Sequence, residues 1–236
     1  MKLTDIHTQF KTDKGTAHDY IGWYEQTFSD RRTDEMNVLE VGVLFGGSLK
    51  MWEHYFENSN IYGVEDFSQE DGQWHYQYEP VDGDAVMEDV NSHERITLFN
   101  FDCENLNHIQ EHFGDLTFDI IIDDANHKLT QQMKNAENYI PYLRDGGIYI
   151  CEDVQTVQGA QDLCQFVLEL YPEAETHMIE CDLNRKSDDR LVFPRPSKTA
   201  LWKIVLGSRS RTGNLKLCYA VIPTWLKTHA KCWNSV

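Results

Sequence analysis

The residue types best suited to chemistry lie at the ends of two apolar runs, FDIIIDDANH at 118–127 and GGIYICED at 146–153. The first run ends in Asp123, Asp124 and His127, and the second in Glu152 and Asp153. Asp124 and His127 are three apart, so a turn or helix start would put both on one face. Glu152 and Asp153 are adjacent and would diverge on a straight strand, converging only if the chain bends there. Carboxylates are hard oxygen donors and suit Mg²⁺, Mn²⁺ or Ca²⁺. A zinc set of His127, Cys151 and Asp124 is disfavoured, because Cys151 sits where the apolar run points into a core. Helix capping by Asp123 and Asp124 would explain one acid pair, but two pairs at neighbouring strand ends only by coincidence.

Such placement requires a particular scaffold. Short continuous apolar runs suit buried strands of a parallel sheet, whose ligands bind beyond the carboxyl ends. Upstream, a strand at 38–41 runs into Gly42, Gly46, Gly47 and Ser48, and 49–56 places Leu49, Trp52, Tyr55 and Phe56 at helical spacing. This is a strand, a glycine turn and a helix. Its GxxxGG spacing lacks the GxGxxG of a dinucleotide site. The strand at 60–64 ends in Glu65 and Asp66, and an acid there commonly accepts hydrogen bonds from ribose hydroxyls. A strand at 97–101 ends at Asp102. Helices are expected at 105–113, 130–143 and 160–171, and two last strands at 176–181 and 200–206. The stretch 191–197, with Pro194 and Pro196, reads as a loop or edge between those two strands. A helix is expected to start near Thr16, in TDKGTAHDY, with Asp13, Lys14 and His18 facing either a ligand or solvent.

These signals define an α/β fold in a single domain at 1–236, with a mainly parallel seven-stranded sheet and helices on both faces. Within it, 1–35 reads as an N-terminal helical cap. The acidic 67–94 stretch, with Trp74, Tyr76 and Tyr78, reads as a lid or insertion, and 207–236 as a C-terminal extension.

Composition narrows the function classes. The net charge of −18 over 236 residues argues against a nucleic-acid partner. No apolar run approaches a membrane span, and the start lacks the apolar core of a signal peptide. The six cysteines form no CxxC pair, which fits free thiols in a reducing cytoplasm. From Arg190 onward nine Lys or Arg stand without an acid, so the rest of the chain carries −27. That basic tail either complements the acidic body or forms a rim for an anionic substrate.

Taken together, TDKGT-x-H-x-Y, VLEVGVLFGGSLKMW, IYGVED, FNFDCEN, FDIIIDDANH and GGIYICED resemble the Mg²⁺-dependent sugar O-methyltransferases of the macrocin and mycinamicin type. The likeness spans 12–153. It implies a Rossmann-like class I methyltransferase fold using S-adenosyl-L-methionine (SAM). It further implies that Glu40, Gly42, Gly46 and Ser48 line SAM, that Glu65 holds the ribose, and that Asp102 sits by the adenine. Asp123 would be SAM-facing or structural. Asp124, Glu152 and Asp153 would hold the metal, and His127 would be the general base. Ala125 and Asn126 depart from the small Gly-Ser often found in that family between acid and histidine.

The chemistry implied is coherent. A sugar hydroxyl holds its proton too tightly to attack at neutral pH; a Lewis acid stabilises the alkoxide, and a histidine of pKa about 6.5 can take the proton. The expected acceptor is a small molecule or glycan with vicinal hydroxyls, a homo-oligomer being left open. Two other readings stand beside this one: methylation of a catechol or other small diol, and a non-catalytic SAM-binding partner subunit.

Overall fold

The computed structural model describes residues 1–67, 81–181 and 190–195. The strand expected at 200–206, the 207–236 extension and the aromatics of 68–80 lie outside the described residues, as does most of the basic tail. Seven strands form one sheet in the order β3-β2-β1-β4-β5-β7-β6. They are β1 (Asn37–Val41), β2 (Asn60–Glu65), β3 (Ile96–Asn100), β4 (Phe118–Asp123), β5 (Leu143–Cys151), β6 (Glu175–Glu180) and β7 (Arg190–Arg195). The helices are α1 (Leu3–Ile6), α2 (Ile21–Phe28), α3 (Gly47–Tyr55), α4 (Gly83–Asn91), α5 (Leu106–Phe113), α6 (Leu129–Tyr139) and α7 (Val157–Leu170). Among the described residues, no helix is long and apolar enough to cross a membrane.

The chain divides into two compact units, Met1–Leu116 and Thr117–Val236. In the first, β1 pairs parallel with β2, and β2 with β3. Val38, Leu39 and Val41 of β1 are fully buried. The same unit holds an aromatic cluster, with Tyr24 edge-on to Trp52 at 5.0 Å and Trp52 stacked on Phe56 at 5.9 Å. In the second unit β4 pairs parallel with β5, while β7 runs antiparallel to β5 and to β6. Ile120, Ile121 and Ile122 are fully buried, as continuous runs in parallel strands should be.

Two expectations fail locally. The helix expected near Thr16 begins instead at Ile21, because the Asp13 carbonyl draws in the amides of Thr16, Ala17 and His18 as a closed turn. Within the 67–94 stretch, α4 is started by Asp82 accepting from the Ala85 amide at 3.1 Å. The stretch around Pro194, read as a loop or edge between the last two strands, is β7, which lies between β5 and β6. Leu191 and Val192 are almost wholly buried there, and their burial outweighs the ladder donor that Pro194 lacks.

Candidate active site

The second unit gathers charge at the ends of β4 and β5. β4 delivers Asp123 as its last residue, and Asp124 and His127 follow in the connection to α6. β5 ends at Cys151, and Asp153 then takes a left-handed backbone with φ +53°. That is the bend needed to turn the acids out of the strand direction. Asp124, His127 and Asp153 each offer a ligand atom, all within 4.8 Å of one another. Nε2 of His127 is 3.4 Å from Oδ1 of Asp124, and Nδ1 is 3.3 Å from Oδ2 of Asp153. One imidazole therefore lies between two carboxylates. Burial alone would lower its pKa, but the hydrogen bond and charge of Asp124, aided by Asp153 and Asp123, raise it to about 9.

The two remaining acids are placed differently. Asp123 is buried and accepts from the Tyr149 hydroxyl at 2.7 Å, the Asn135 amide at 2.9 Å and the Ala125 backbone at 3.4 Å. Burial raises its pKa to about 6 against the pull of those three donors. Glu152 is buried too, and it is outside the group whose ligand atoms converge. Its backbone amide donates to the Asp123 carbonyl at 2.9 Å, and its carbonyl accepts from Gln132 Nε2 at 3.0 Å. Cys151 is fully buried and its thiol pKa is pushed well up by burial, so it behaves as a core residue.

The first unit holds the glycine turn. Gly46 is left-handed at φ +73° and precedes α3, and a Cβ there would meet Val90 at 2.2 Å. A Cβ on Gly47 would meet the Lys11 carbonyl at 1.9 Å. These two glycines thus make room for the chain's own packing. Gly42 is also left-handed, at φ +85°, and Ser48 is buried in the first turn of α3. Glu40 is buried, accepting from Trp52 Nε1 at 2.8 Å and pairing with the equally buried Lys14 at 3.1 Å. Glu65 places Oε2 on the amides of Val43 and Leu44, at 2.9 and 3.1 Å. Its Oε1 takes those of Asp66 and Phe67, at 3.1 and 3.4 Å. Asp102 is exposed, with Oδ1 accepting from the Glu104 amide at 2.9 Å. Beside the turn lies a cleft of about 500 Å³ lined by Phe10, Lys11, Phe45, Lys50, Asp82 and Asp89, among others.

Sequence reasoning did not single out Gln132 and Asn135. Both are almost wholly buried on α6 and reach the ends of β4 and β5. The available signal was amide side chains at positions where helical periodicity puts the core.

No protein-family profile matches the sequence. Among curated proteins, demethylmacrocin O-methyltransferase of Streptomyces fradiae is 30% identical over 167 residues, covering 65% of this chain and 36% of its own length. Mycinamicin VI 2''-O-methyltransferase of Micromonospora griseorubida is 30% identical over 164 residues, with 65% and 36% covered. The chain thus spans a little over a third of the length of the curated relatives it matches. Among solved structures, the MycE methyltransferase of the mycinamycin pathway, in complex with Mg, SAH and mycinamycin VI, superposes with a TM-score of 0.59. That match is 22% identical and covers 83% of this chain and 54% of the other. The relatives are of the type that the motifs resemble, and the fold is that of the class I methyltransferases.

Proposed function

We propose that this chain is a SAM- and Mg²⁺-dependent O-methyltransferase that methylates a hydroxyl of a sugar or glycosylated small molecule in the cytoplasm. The observation that carries the reading is the convergence of Asp124, His127 and Asp153 at two strand ends, where Asp153 adopts a left-handed backbone. Relatives named as sugar O-methyltransferases support the same chemistry. The net charge of −18 disfavours a nucleic-acid acceptor.

The donor set fits a hard divalent cation: two carboxylates share one imidazole and accumulate negative charge in a half-buried site. Asp124 and Asp153 would hold the ion, with Glu152 as the third acid. A bound ion would supply Lewis acidity toward a vicinal diol. His127 is the proposed base. Without a cation its pKa of about 9 keeps it protonated at neutral pH and unable to accept a proton. Compensation of Asp124 and Asp153 removes the causes of that rise and returns the imidazole toward its ordinary ~6.5. The acceptor hydroxyl would give its proton to His127, and bound SAM would supply the methyl group, its sulfur leaving with the electron pair of the broken carbon–sulfur bond. SAM would lie along Glu40, Gly42, Gly46 and Ser48, with Glu65 toward the ribose and Asp102 toward the adenine.

One observation favours a variant in which His127 is a ligand: its nitrogens belong to the converging group, whereas Glu152 does not. A single series separates these readings. Purified protein is given labelled SAM, Mg²⁺ and glycosylated macrolide acceptors, with and without EDTA. Methyl transfer that EDTA abolishes and Mg²⁺ restores is expected; full activity in metal-free buffer overturns the metal role. In His127→Ala, lost turnover with unchanged Mn²⁺ affinity supports the base, and weakened Mn²⁺ binding supports the ligand.

A further inference from the structure

The left-handed backbone of Asp153 needs a cause. A residue with a Cβ gives up about 1–2 kcal/mol in that region, and such conformations persist only where the surroundings over-determine them. The flanking peptide groups show what does so here. On the amino side, the Glu152 carbonyl accepts from Gln132 Nε2 at 3.0 Å, and the Glu152 amide donates to the Asp123 carbonyl at 2.9 Å. On the carboxyl side, Arg190 Nη1 donates to the Gln155 carbonyl at 2.8 Å and the Val154 carbonyl at 3.4 Å. The Val154 amide returns a bond to the Arg190 carbonyl at 3.2 Å. Thr156 then caps α7 by accepting from the Gly159 amide at 2.9 Å, which fixes where the bend must end.

Gln132 is 3% exposed and Arg190 8%, so water competes little for these bonds. The two side chains come from different elements, α6 and β7, and grip opposite sides of one residue. Together they set the direction in which Asp153 leaves the strand.

We propose that Gln132 and Arg190 are positioning residues: they lock the bend at 152–155 and thereby aim the Asp153 carboxylate at the divalent-cation site it forms with Asp124. This rests on the metal reading above. Residues that orient metal ligands typically change affinity by about 10–100-fold when replaced.

The test is Mn²⁺ titration of the full chain, following free Mn²⁺ by electron paramagnetic resonance, with SAM affinity by calorimetry and thermal melting alongside. Gln132→Met keeps the volume and removes the donor. Arg190→Lys keeps the charge and removes the guanidinium whose Nη1 bonds both carbonyls. Each is expected to weaken Mn²⁺ binding about 10-fold or more while SAM affinity stays within about twofold. Wild-type Mn²⁺ binding retained in both variants overturns the positioning role and leaves the metal reading standing. Absence of Mn²⁺ binding by the wild type overturns the metal reading, and the inference with it. Parallel loss of Mn²⁺ and SAM binding, or failure of both variants to fold, assigns the pair to general stability and overturns the proposal.

Discussion

The acids at the ends of β1 and β2 and those at the ends of β4 and β5 occupy equivalent places in their strands, but their charge is balanced in different ways. Glu40 is paired with a buried lysine and an indole N–H, and Glu65 receives four backbone amides. Those partners belong to the chain itself: backbone amides on Glu65, and on Glu40 a lysine and an indole as deeply buried as the carboxylate. Asp124 and Asp153 instead converge on one imidazole, a group that does titrate in the physiological range. The first arrangement draws its partners from the chain itself. The second depends on a proton or a cation. The comparison therefore separates acids that build the scaffold from acids available to a metal ion.

The largest effect that could break this comparison lies at Lys14. Removing one partner of a buried ion pair leaves the other charge uncompensated and typically costs about 3–5 kcal/mol. Lys14 and Glu40 are each 1% exposed, so Lys14→Met is expected to destabilise by that order in chemical denaturation. Lys14→Met/Glu40→Gln should recover much of the loss, because a neutral amide can still accept from Trp52. A loss below about 1 kcal/mol in the single variant would contradict the claim that Glu40 is balanced by Lys14.

A smaller effect is expected at His127, with the opposite dependence on conditions. Its folded pKa of about 9 lies above the ordinary 6.5, so the folded state holds the proton more tightly. That contribution is fully present below about pH 6.5 and is lost as pH rises through about 9, amounting to at most about 3 kcal/mol. In EDTA the melting temperature should therefore fall across that window, and His127→Gln should flatten the fall. Saturating Mg²⁺ should flatten it too, by taking over the compensation of the two acids. A slope that survives both changes would place the titrating group elsewhere.

These differences show what the sequence could and could not reveal. β1, β2 and β4 were legible because a central parallel strand is a continuous apolar run, and nothing beyond local pattern is needed to see one. β7 was not, because Pro194 signals a break locally while the burial of Leu191 and Val192 is decided by neighbours far along the chain. α4 was hidden because its buried face is narrow, with Val90 its one fully buried residue. At the site, the three-residue spacing of Asp124 and His127 anticipated their approach. The need for a bend beyond Cys151 was legible, since adjacent side chains diverge on a strand. Its form was not: left-handed Asp153 is held by Gln132 and Arg190, and no local rule connects residues 132, 153 and 190. Glu65 was legible as an acid at a strand end, but its four amide partners depend on how the glycine turn folds back over β2.

The smallest effect concerns that Glu65, and it tests whether the β1–β2 acids are scaffold before they are ligand contacts. Leu44 and Phe67 are left-handed, at φ +51° each, and both donate to the Glu65 carboxylate. The carboxylate therefore stabilises two strained residues, one in the glycine turn and one beyond β2. Glu65→Gln keeps the shape but replaces one accepting oxygen with an NH₂ group facing amide donors. Hydrogen bonds to charged groups contribute about 1.5–3 kcal/mol when buried. Glu65 is half-buried, so a loss of about 1–2 kcal/mol is expected in SAM-free protein. Mn²⁺ affinity should not change, because the cation site belongs to the other strand ends. If Glu65 served only to receive a ribose, the SAM-free stability of Glu65→Gln would match the wild type and SAM affinity alone would fall. A drop in both would mean that the ribose meets a carboxylate already ordered by the turn. Binding would then exchange some of those amide bonds for hydroxyl bonds instead of adding to them, and the gain in affinity from Glu65 would be correspondingly small.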